Sequence, residues 1–188
     1  YVGTYVERDV RQVLDVGDLL EFHTFLRLSA ARSAQLLNLS ALGADAGISH
    51  PTAKSWISIL EATFVAFRLT PFFANITSRL VKTPKLHFYD TGLLCWLLGI
   101  RSPEDLRNHP LRGAIFETWV VSEIAKAHAH RGLVPALFFY RDAKGLEIDL
   151  VVQRGQRLTC VEAKAALTIA SDFFAPFDAV EAKIGPVQ

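Results

Sequence analysis

A short turn signal, Gly155-Gln156, lies between two runs in which charged and apolar residues alternate. Glycine in the first position of a two-residue loop is typical of a type II′ β-hairpin, because that position requires a positive φ angle. Such a loop places Arg154 opposite Arg157 and fixes the register of all the pairs behind them. A slip by one residue would bury the charged side chains, so the alternation strongly favours this register. The pattern therefore predicts a β-hairpin whose register follows from the sequence.

Four charged side chains share one face of this predicted hairpin. Its register pairs Asp149 with Glu162 and Glu147 with Lys164, and the period-two alternation of a strand turns all four to the same side. Directly opposed carboxylates repel each other, since their Cβ atoms are only about 5 Å apart. The Asp149–Glu162 pair therefore requires a neighbouring cation. The other face is apolar and is expected to join the core, with Leu146, Ile148, Leu150 and Val152 on the first strand and Thr159, Val161, Ala163 and Ala165 on the second.

The cation beside the two carboxylates can be Lys164, a divalent metal ion, or both. Mg²⁺ is bound by one or two carboxylates, retains several waters and leaves room for a substrate phosphate. We therefore expect Asp149 and Glu162 to hold Mg²⁺, and Lys164 to orient a water molecule or stabilise developing charge in phosphodiester hydrolysis. The alternative is a surface hairpin with cross-strand ion pairs, because charged strand residues usually form a solvated face.

The first half of the chain has the pattern of a helix-turn-helix followed by two strands. Gly47 to Ser49 joins two short predicted helices, and β-rich runs follow at 64–73 and 85–89. Together with a preceding helix, these elements predict a winged helix over residues 18–92. The expected N-caps are Asp18, Ser40, Ser49 and Asp90, and Gly47 is expected to end a helix in the left-handed conformation.

The pattern changes near residue 110, where Pro103 and Pro110 mark a linker. A long helix is predicted at 114–130. It precedes three strands, at 137–141, 146–153 and 157–164. A helix followed by a strand meander indicates an α+β or α/β second unit, so we predict an α+β protein overall.

A net charge of +1 excludes an overall basic coat, so any contact with nucleic acid must come from a local patch,. The second helix of a helix-turn-helix enters the major groove. That helix and the loop and ribbon behind it carry the candidate nucleic-acid-binding residues His50, Thr52, Lys54, Arg79, Lys82 and Lys85. One lysine and no arginine on the helix favour weak, salt-sensitive phosphate contacts over base readout. A protein-interaction or hinge module is the alternative.

Composition excludes further classes of protein. Hydrophobic residues make up 51% of the 188 residues, which excludes an intrinsically disordered chain,. The longest apolar stretches, around Leu93–Leu98, are far shorter than the ~20 residues of a membrane helix, and no signal peptide opens the chain. The two cysteines, Cys95 and Cys160, form no metal-ligand pair, which suits a reducing compartment,. We expect a cytoplasmic protein with no membrane partner.

Asp149 followed by Glu162-Ala163-Lys164, behind a helix that bears an acid, resembles the PD-(D/E)XK nuclease superfamily. The resemblance implies a helix, a mixed sheet and a Mg²⁺ site. It makes Asp149 and Glu162 metal ligands, the backbone carbonyl of Ala163 a further ligand and Lys164 the catalytic lysine. In place of the proline that precedes the aspartate in the superfamily pattern, this chain has Ile148.

The acid on the helix completes this resemblance. Helical spacing leaves Glu117 and Glu123 as alternatives, since both lie at or near the apolar arc of the predicted helix. The resemblance favours Glu117 and implies a catalytic role for it.

Four further phrases resemble a prokaryotic family of AAA-type ATPases that carry a C-terminal domain of unknown function. In that family a winged helix precedes a PD-(D/E)XK-like module. The phrases are Tyr5–Val10, Leu80–Leu86, Tyr89–Leu93 and Gly113–Glu117. The chain begins at Tyr1 and contains no Met, which also favours a fragment of a longer protein.

The resemblance implies a C-terminal fragment that follows an ATPase domain. Its parts would be a linker from that domain (1–17), the winged helix (18–92), a connecting helix and linker (93–112) and a nuclease-like domain cut short at its end (113–188). No Gly-x-x-x-x-Gly-Lys-Ser/Thr loop occurs here, so ATP is expected only in the ATPase domain,.

These inferences lead to two expectations of function. The first is a DNA-associated module with Mg²⁺-dependent phosphodiester hydrolysis. The second is a non-catalytic DNA- or protein-binding regulatory module that keeps a nuclease-like fold. In both, the ATPase domain of the same protein is a partner, and assembly into an oligomer is left open.

Overall fold

The computed structural model describes residues 19–72, 82–134, 136–166, 168 and 171–184. Within them the helices are α1 (Leu19–Ala30), α2 (Leu39–Ala46), α3 (His50–Ala62), α4 (Thr91–Leu97), α5 (Pro103–Asn108), α6 (Arg112–Ala129) and α7 (Ala175–Ile184). The strands are β1 (Gln35–Leu36), β2 (Ala66–Pro71), β3 (Lys85–Phe88), β4 (Leu137–Arg141), β5 (Glu147–Arg154) and β6 (Arg157–Val161). The predicted mixed α+β class is confirmed.

Side-chain caps begin several of these helices. Ser49 Oγ accepts a hydrogen bond from Thr52 N at 3.2 Å, as predicted for α3, and Asp90 caps α4 as expected. Gly47 ends α2 at φ +73°, a left-handed conformation that glycine adopts without steric cost. The prediction for Ser40 is wrong: Asn38 caps α2 through its Oδ1 atom, because the helix begins two residues earlier than expected. The predicted cap Asp18 lies outside the described residues.

One mixed sheet joins the two halves of the chain. Its strand order is β1-β3-β2-β4-β5-β6. Neighbouring strands are antiparallel except β2 and β4, which run parallel with Thr70 opposite Phe138 and Pro71 opposite Phe139. The strands of the first half therefore lie in the same hydrogen-bonded layer as the hairpin of the second half.

Three apolar clusters hold the helices to this sheet. The largest lies among α1–α4, β2 and β3, and includes Phe22, Trp56 and Phe88. A second cluster packs α7 against one face of β4–β6 through Val180. A third packs α6 against the opposite face through Val121. Since helices cover both faces, the central strands are buried on both sides.

A β-bulge interrupts the alternation of β5. Phe138 lies opposite Val151 and Tyr140 opposite Ile148, so Asp149 and Leu150 together face the single residue between them on β4. Such a bulge bends its strand and turns side chains to a different face. The prediction of one continuous apolar face is consequently wrong. Leu146 and Ile148 pack in the cluster under α7, whereas Leu150 and Val152 pack in the cluster under α6.

No helix in the described ranges combines the length and apolar character that a membrane crossing would need.

Candidate active site

The hairpin of β5 and β6 has the register that its sequence predicts. Leu150 lies opposite Val161, and Arg154 lies opposite Arg157. Gly155 adopts φ +60°, the positive angle expected at the first position of the turn,. Strand β6 ends at Val161, so the segment 162–166 leaves the ladder just where the charged pairs were expected.

Asp149 and Glu162 meet at this point through hydrogen bonds to each other's backbone segment. Asp149 Oδ2 accepts a hydrogen bond from the amide of Ala163 at 2.8 Å. In return, Glu162 Oε2 lies 3.4 Å from the amide nitrogen of Asp149. Lys164 Nζ donates to Glu162 Oε1 at 2.5 Å. The three residues of the Asp…Glu-x-Lys pattern are therefore adjacent, with Asp149 buried and Lys164 exposed.

The centre of the site contains a lysine from the first half of the chain. Lys85 Nζ is 2.7 Å from Glu117 Oε1, 2.5 Å from Glu147 Oε1 and 3.8 Å from Asp149 Oδ1. Its side chain is only 2% exposed. We call the acids Glu117, Glu147, Asp149 and Glu162, together with Lys85 and Lys164, the acidic centre.

Lys85 reaches the acids by lying across the sheet. It starts from β3, opposite Leu69 of β2. Its ammonium then passes over the ring of Phe139 on β4, at 5.5 Å from the ring centroid. A cation over an aromatic face is favoured further when it is removed from water. The expected role of Lys85 in nucleic-acid binding does not fit this position, because a buried ammonium held by carboxylates cannot contact a phosphate.

The ion-pair partners of Glu147 also differ from the one that the sequence predicts. Its expected cross-strand partner was Lys164, but Glu147 binds Lys85 and, through Oε2, Arg141 Nη1 at 3.2 Å. The physical reason is the early end of β6, which carries Lys164 past the ladder and leaves it on Glu162.

The structure distinguishes between the two candidate helix acids. Glu117 lies on the buried side of α6 and binds Lys85. Glu123 lies on the outer side, is 51% exposed and pairs with Lys126 on its own helix. Only Glu117 therefore belongs to the acidic centre.

Burial perturbs the acids of the centre. It raises the pKa of Glu117 to about 7; Lys85 opposes this rise, whereas Asp149 and Glu147 add to it. Burial likewise raises the pKa of Asp149, against the hydrogen bond from the Ala163 amide. A group with a pKa near 7 exchanges its proton at neutral pH. Perturbed carboxyl groups of this kind are frequent at functional sites.

Lys85 remains charged in spite of its burial. Burial alone lowers the pKa of an ammonium, but the charges of Glu117 and Glu147 and the hydrogen bonds to them raise the pKa of Lys85 above its usual value. A neutral Glu117 would weaken this effect. Glu147 would still bind the ammonium, so the proton that moves near neutrality belongs to Glu117 and not to Lys85.

The donor set fits the chemistry of Mg²⁺. Lys85 binds Glu117 and Glu147 closely but lies 3.8 Å from Asp149 Oδ1, and Glu162 is paired with the exposed Lys164. The carboxylates of Asp149 and Glu162 are therefore the candidate ligands. Within the described ranges, no three His, Cys, Asp or Glu side chains are grouped to hold a metal ion. Two carboxylates supplemented by a backbone carbonyl and waters suffice for Mg²⁺. These protein ligands alone would not fill the coordination sphere of the ion, and waters would complete it.

Of the candidate nucleic-acid-binding residues of the first half, Lys85 lies inside the acidic centre. His50 and Lys54 are exposed on the first turns of α3, and Lys82 is exposed before β3. Thr52 is half-buried, and its hydroxyl group is hydrogen-bonded to Ser49 at 2.8 Å. Arg79 lies outside the described residues.

Two families match adjacent parts of the chain. A family described as a domain of unknown function, DUF8612, matches residues 1–104. A second domain of unknown function, DUF4143, matches residues 112–188. The gap between the two matches, residues 105–111, begins within α5.

Two mycobacterial proteins are similar to this chain. They are the uncharacterized protein Mb2031c of Mycobacterium bovis and the uncharacterized protein Rv2008c of Mycobacterium tuberculosis, each 32% identical over 171 residues. The similarity covers 89% of this chain but only 37% of each relative. The chain thus spans little more than a third of the length of these relatives. No solved structure matches it.

Proposed function

The chain belongs to the DUF8612 family, and from this premise we propose that it is a DNA-associated module of an AAA-type ATPase with Mg²⁺-dependent phosphodiester hydrolysis. DUF4143, which matches its second half, is often associated with AAA-type ATPases. The greater length of the two relatives leaves room for such a domain. The exposed residues His50, Lys54 and Lys82 are the proposed contacts of a winged helix with DNA.

One observation carries the proposed chemistry: Asp149, Glu162 and Lys164 of the hairpin segment converge with Glu117 of the distant helix α6 on one acidic centre. Burying several carboxylates is costly unless each is paired or hydrogen-bonded. The described lysines do not offset this cost fully, because the pKa values of both Glu117 and Asp149 stay raised. An additional cation bound at Asp149 and Glu162 would lower the pKa values of both Glu117 and Asp149.

Each residue has a distinct task in this proposal. Asp149 and Glu162 hold the metal ion, which when bound activates a water molecule and polarises the phosphate. Lys164 is 42% exposed at the rim, so its ammonium is accessible to a phosphate oxygen and stabilises charge that develops there,. Glu117, with a pKa of about 7, accepts or releases a proton near neutral pH.

Lys85 favours a second candidate function, a non-catalytic nucleic-acid-binding module. Its buried ammonium supplies a permanent positive charge between three acids, where a metal ion would otherwise compensate them. In this case the centre would hold the sheet together and the chain would act by binding alone.

A metal titration followed by a cleavage assay separates the two candidates. A ligand that binds only the folded state stabilises it by RT ln(1 + [L]/Kd). We expect millimolar Mg²⁺ to raise the melting temperature of the wild type and of a Glu123→Gln control, but not of Asp149→Asn. We also expect the wild type to cleave DNA with Mg²⁺ and Lys164→Ala to lose cleavage while keeping the thermal shift. No shift and no cleavage in the wild type would leave the binding module as the function.

A further inference from the structure

A groove runs beside Lys164 and has a different character at each end. One end is a depression of about 460 Å³ lined by Arg107, His109 and Arg112. The other is a depression of about 420 Å³ lined by several phenylalanines. Both depressions also include Lys164, Ala166 and Phe173, so they form one groove. We call it the Lys164 groove.

The first end is basic. Among the residues that the structure describes, none of those lining this depression is acidic. Arg112 donates to the backbone carbonyls of Ala165, at 2.7 Å, and Arg107, at 3.2 Å. In the part of the chain that the structure describes, no carboxylate forms an ion pair with Arg107 or Arg112. This end therefore combines the hydrogen-bonded guanidinium of Arg112 with the exposed one of Arg107. Two guanidinium groups without a carboxylate partner are complementary to phosphate.

The second end is aromatic. Phe116 of α6 and three phenylalanines near α7, Phe173, Phe174 and Phe177, line it. Phe174 is 59% exposed, although a large apolar side chain is usually buried,. Among the described residues that line this end, the one acid is Glu162, which is paired with Lys164. Proteins that bind single-stranded nucleic acid place exposed aromatic rings next to cations, and unpaired bases stack on these rings.

We propose that the Lys164 groove binds single-stranded nucleic acid, with phosphates at Arg107 and Arg112 and an unpaired base on Phe174. In a duplex the bases are stacked inside and only their edges reach the grooves, so a duplex would use the basic end alone. The inference rests on the proposed function, because it names the form of nucleic acid on which that function would act. Binding itself requires neither Mg²⁺ nor cleavage.

Fluorescence anisotropy in EDTA tests this inference without any hydrolysis. The probe is a labelled 20-nucleotide oligodeoxythymidylate, compared with a duplex of the same length. We expect the wild-type chain to bind the single strand more tightly. Stacking of one base contributes about 1–3 kcal/mol, so Phe174→Ala should weaken single-strand binding by roughly 5-fold to 150-fold and leave duplex binding nearly unchanged. Leu133→Ala, at another exposed apolar side chain, is the matched control.

The basic end is tested by the dependence of binding on salt. Each phosphate neutralised on a single strand contributes about 0.7 to the slope of log K against log salt concentration. Arg107→Ala should therefore reduce the slope by about 0.7, whereas Arg157→Ala, an exposed arginine at the far end of β6, should not. Arg107 is exposed, so the variant is expected to fold; Arg112→Lys provides a second test that keeps the charge but loses the fixed fork.

Equal affinity for the single strand and the duplex, or full affinity in Phe174→Ala, would overturn the inference. Absence of any binding would overturn it as well. Failure of the proposed hydrolysis gives a different result: single-strand binding and its dependence on Phe174 would persist in EDTA, while no cleavage would follow on addition of Mg²⁺.

Discussion

Lys85 and Lys164 bind carboxylates of the same acidic centre from opposite surroundings. Lys85 is 2% exposed and lies among three acids. Lys164 is 42% exposed, and its one ion-pair partner among the described residues is Glu162. If a buried ammonium moves away, its carboxylate partners remain as uncompensated buried charges. An exposed ammonium can exchange its carboxylate partner for water at little cost in free energy. The comparison assigns Lys85 to the stability of the centre and leaves Lys164 available to a substrate.

The largest expected effect is on stability when the buried lysine loses its charge. Lys85→Met keeps a chain of similar length but leaves Glu117, Glu147 and Asp149 without their cation. Removing one partner of a buried pair costs about 3–5 kcal/mol. Urea unfolding at pH 7 should show this loss, and Lys164→Met, measured in parallel, should lose less than about 1 kcal/mol. Equal losses in the two variants would remove the distinction between the lysines.

The pH dependence of stability gives the next largest effect. The folded-state pKa of Glu117 is raised to about 7 from 4.5. The folded state therefore binds more protons than the unfolded state between these values, and this group makes stability fall as pH rises from 4.5 to 7. At about 1.4 kcal/mol per pKa unit, the unfolding free energy lost through Glu117 over this pH range is about 3 kcal/mol.

Glu117→Gln should remove that part of the pH dependence. The difference in unfolding free energy between wild type and variant is the quantity to measure, because His87 and Asp149 contribute their own pH dependence to both. Burial lowers the pKa of His87 to about 3, for example. Between pH 5 and pH 7.5, we expect the unfolding free energy of the wild type to fall relative to that of Glu117→Gln. Glu123→Gln should show no such shift, and a constant difference for Glu117→Gln would contradict the raised pKa.

The smallest effect concerns the exposed pair. A double-mutant cycle on Lys164 and Glu162 should give a coupling energy of at most about 1 kcal/mol. Since salt screens exposed charges, the coupling should decline further at 1 M NaCl. The equivalent cycle on Lys85 and Glu147 should keep most of its coupling at that salt concentration. A salt-resistant coupling at Lys164 would show that it is held as firmly as Lys85.

Local sequence patterns predicted the parts of the site that depend on neighbours in the chain. The register of the hairpin follows from Gly155 and from the alternation around it, and the structure has that register. The adjacency of Asp149 and Glu162 follows from the register. Helical spacing alone left Glu117 and Glu123 as alternatives; the resemblance favoured Glu117, and packing of α6 on the sheet placed only Glu117 inside.

The bulge and the buried lysine could not be predicted in this way. The bulge at Asp149 and Leu150 depends on the pairing of β5 with β4, which the pattern of β5 alone does not contain. Lys85 had one sequence signal that pointed to burial: it begins the otherwise largely apolar run Lys85–Phe88. A lysine in such a strand needs an acidic partner, but nothing nearby in the sequence identifies which acid.

By itself, the sequence determined the α+β class, the starts of α3 and α4 and the hairpin that brings Asp149, Glu162 and Lys164 together, because each depends on residues near one another in the chain. The tertiary structure alone decided that Lys85 fills the centre. Parallel pairing of β2 with β4 brings the two halves of the chain into one sheet, and only across that sheet does a lysine of β3 reach the acids of β5 and α6. Contacts between such distant segments depend on packing, and no local pattern encodes them.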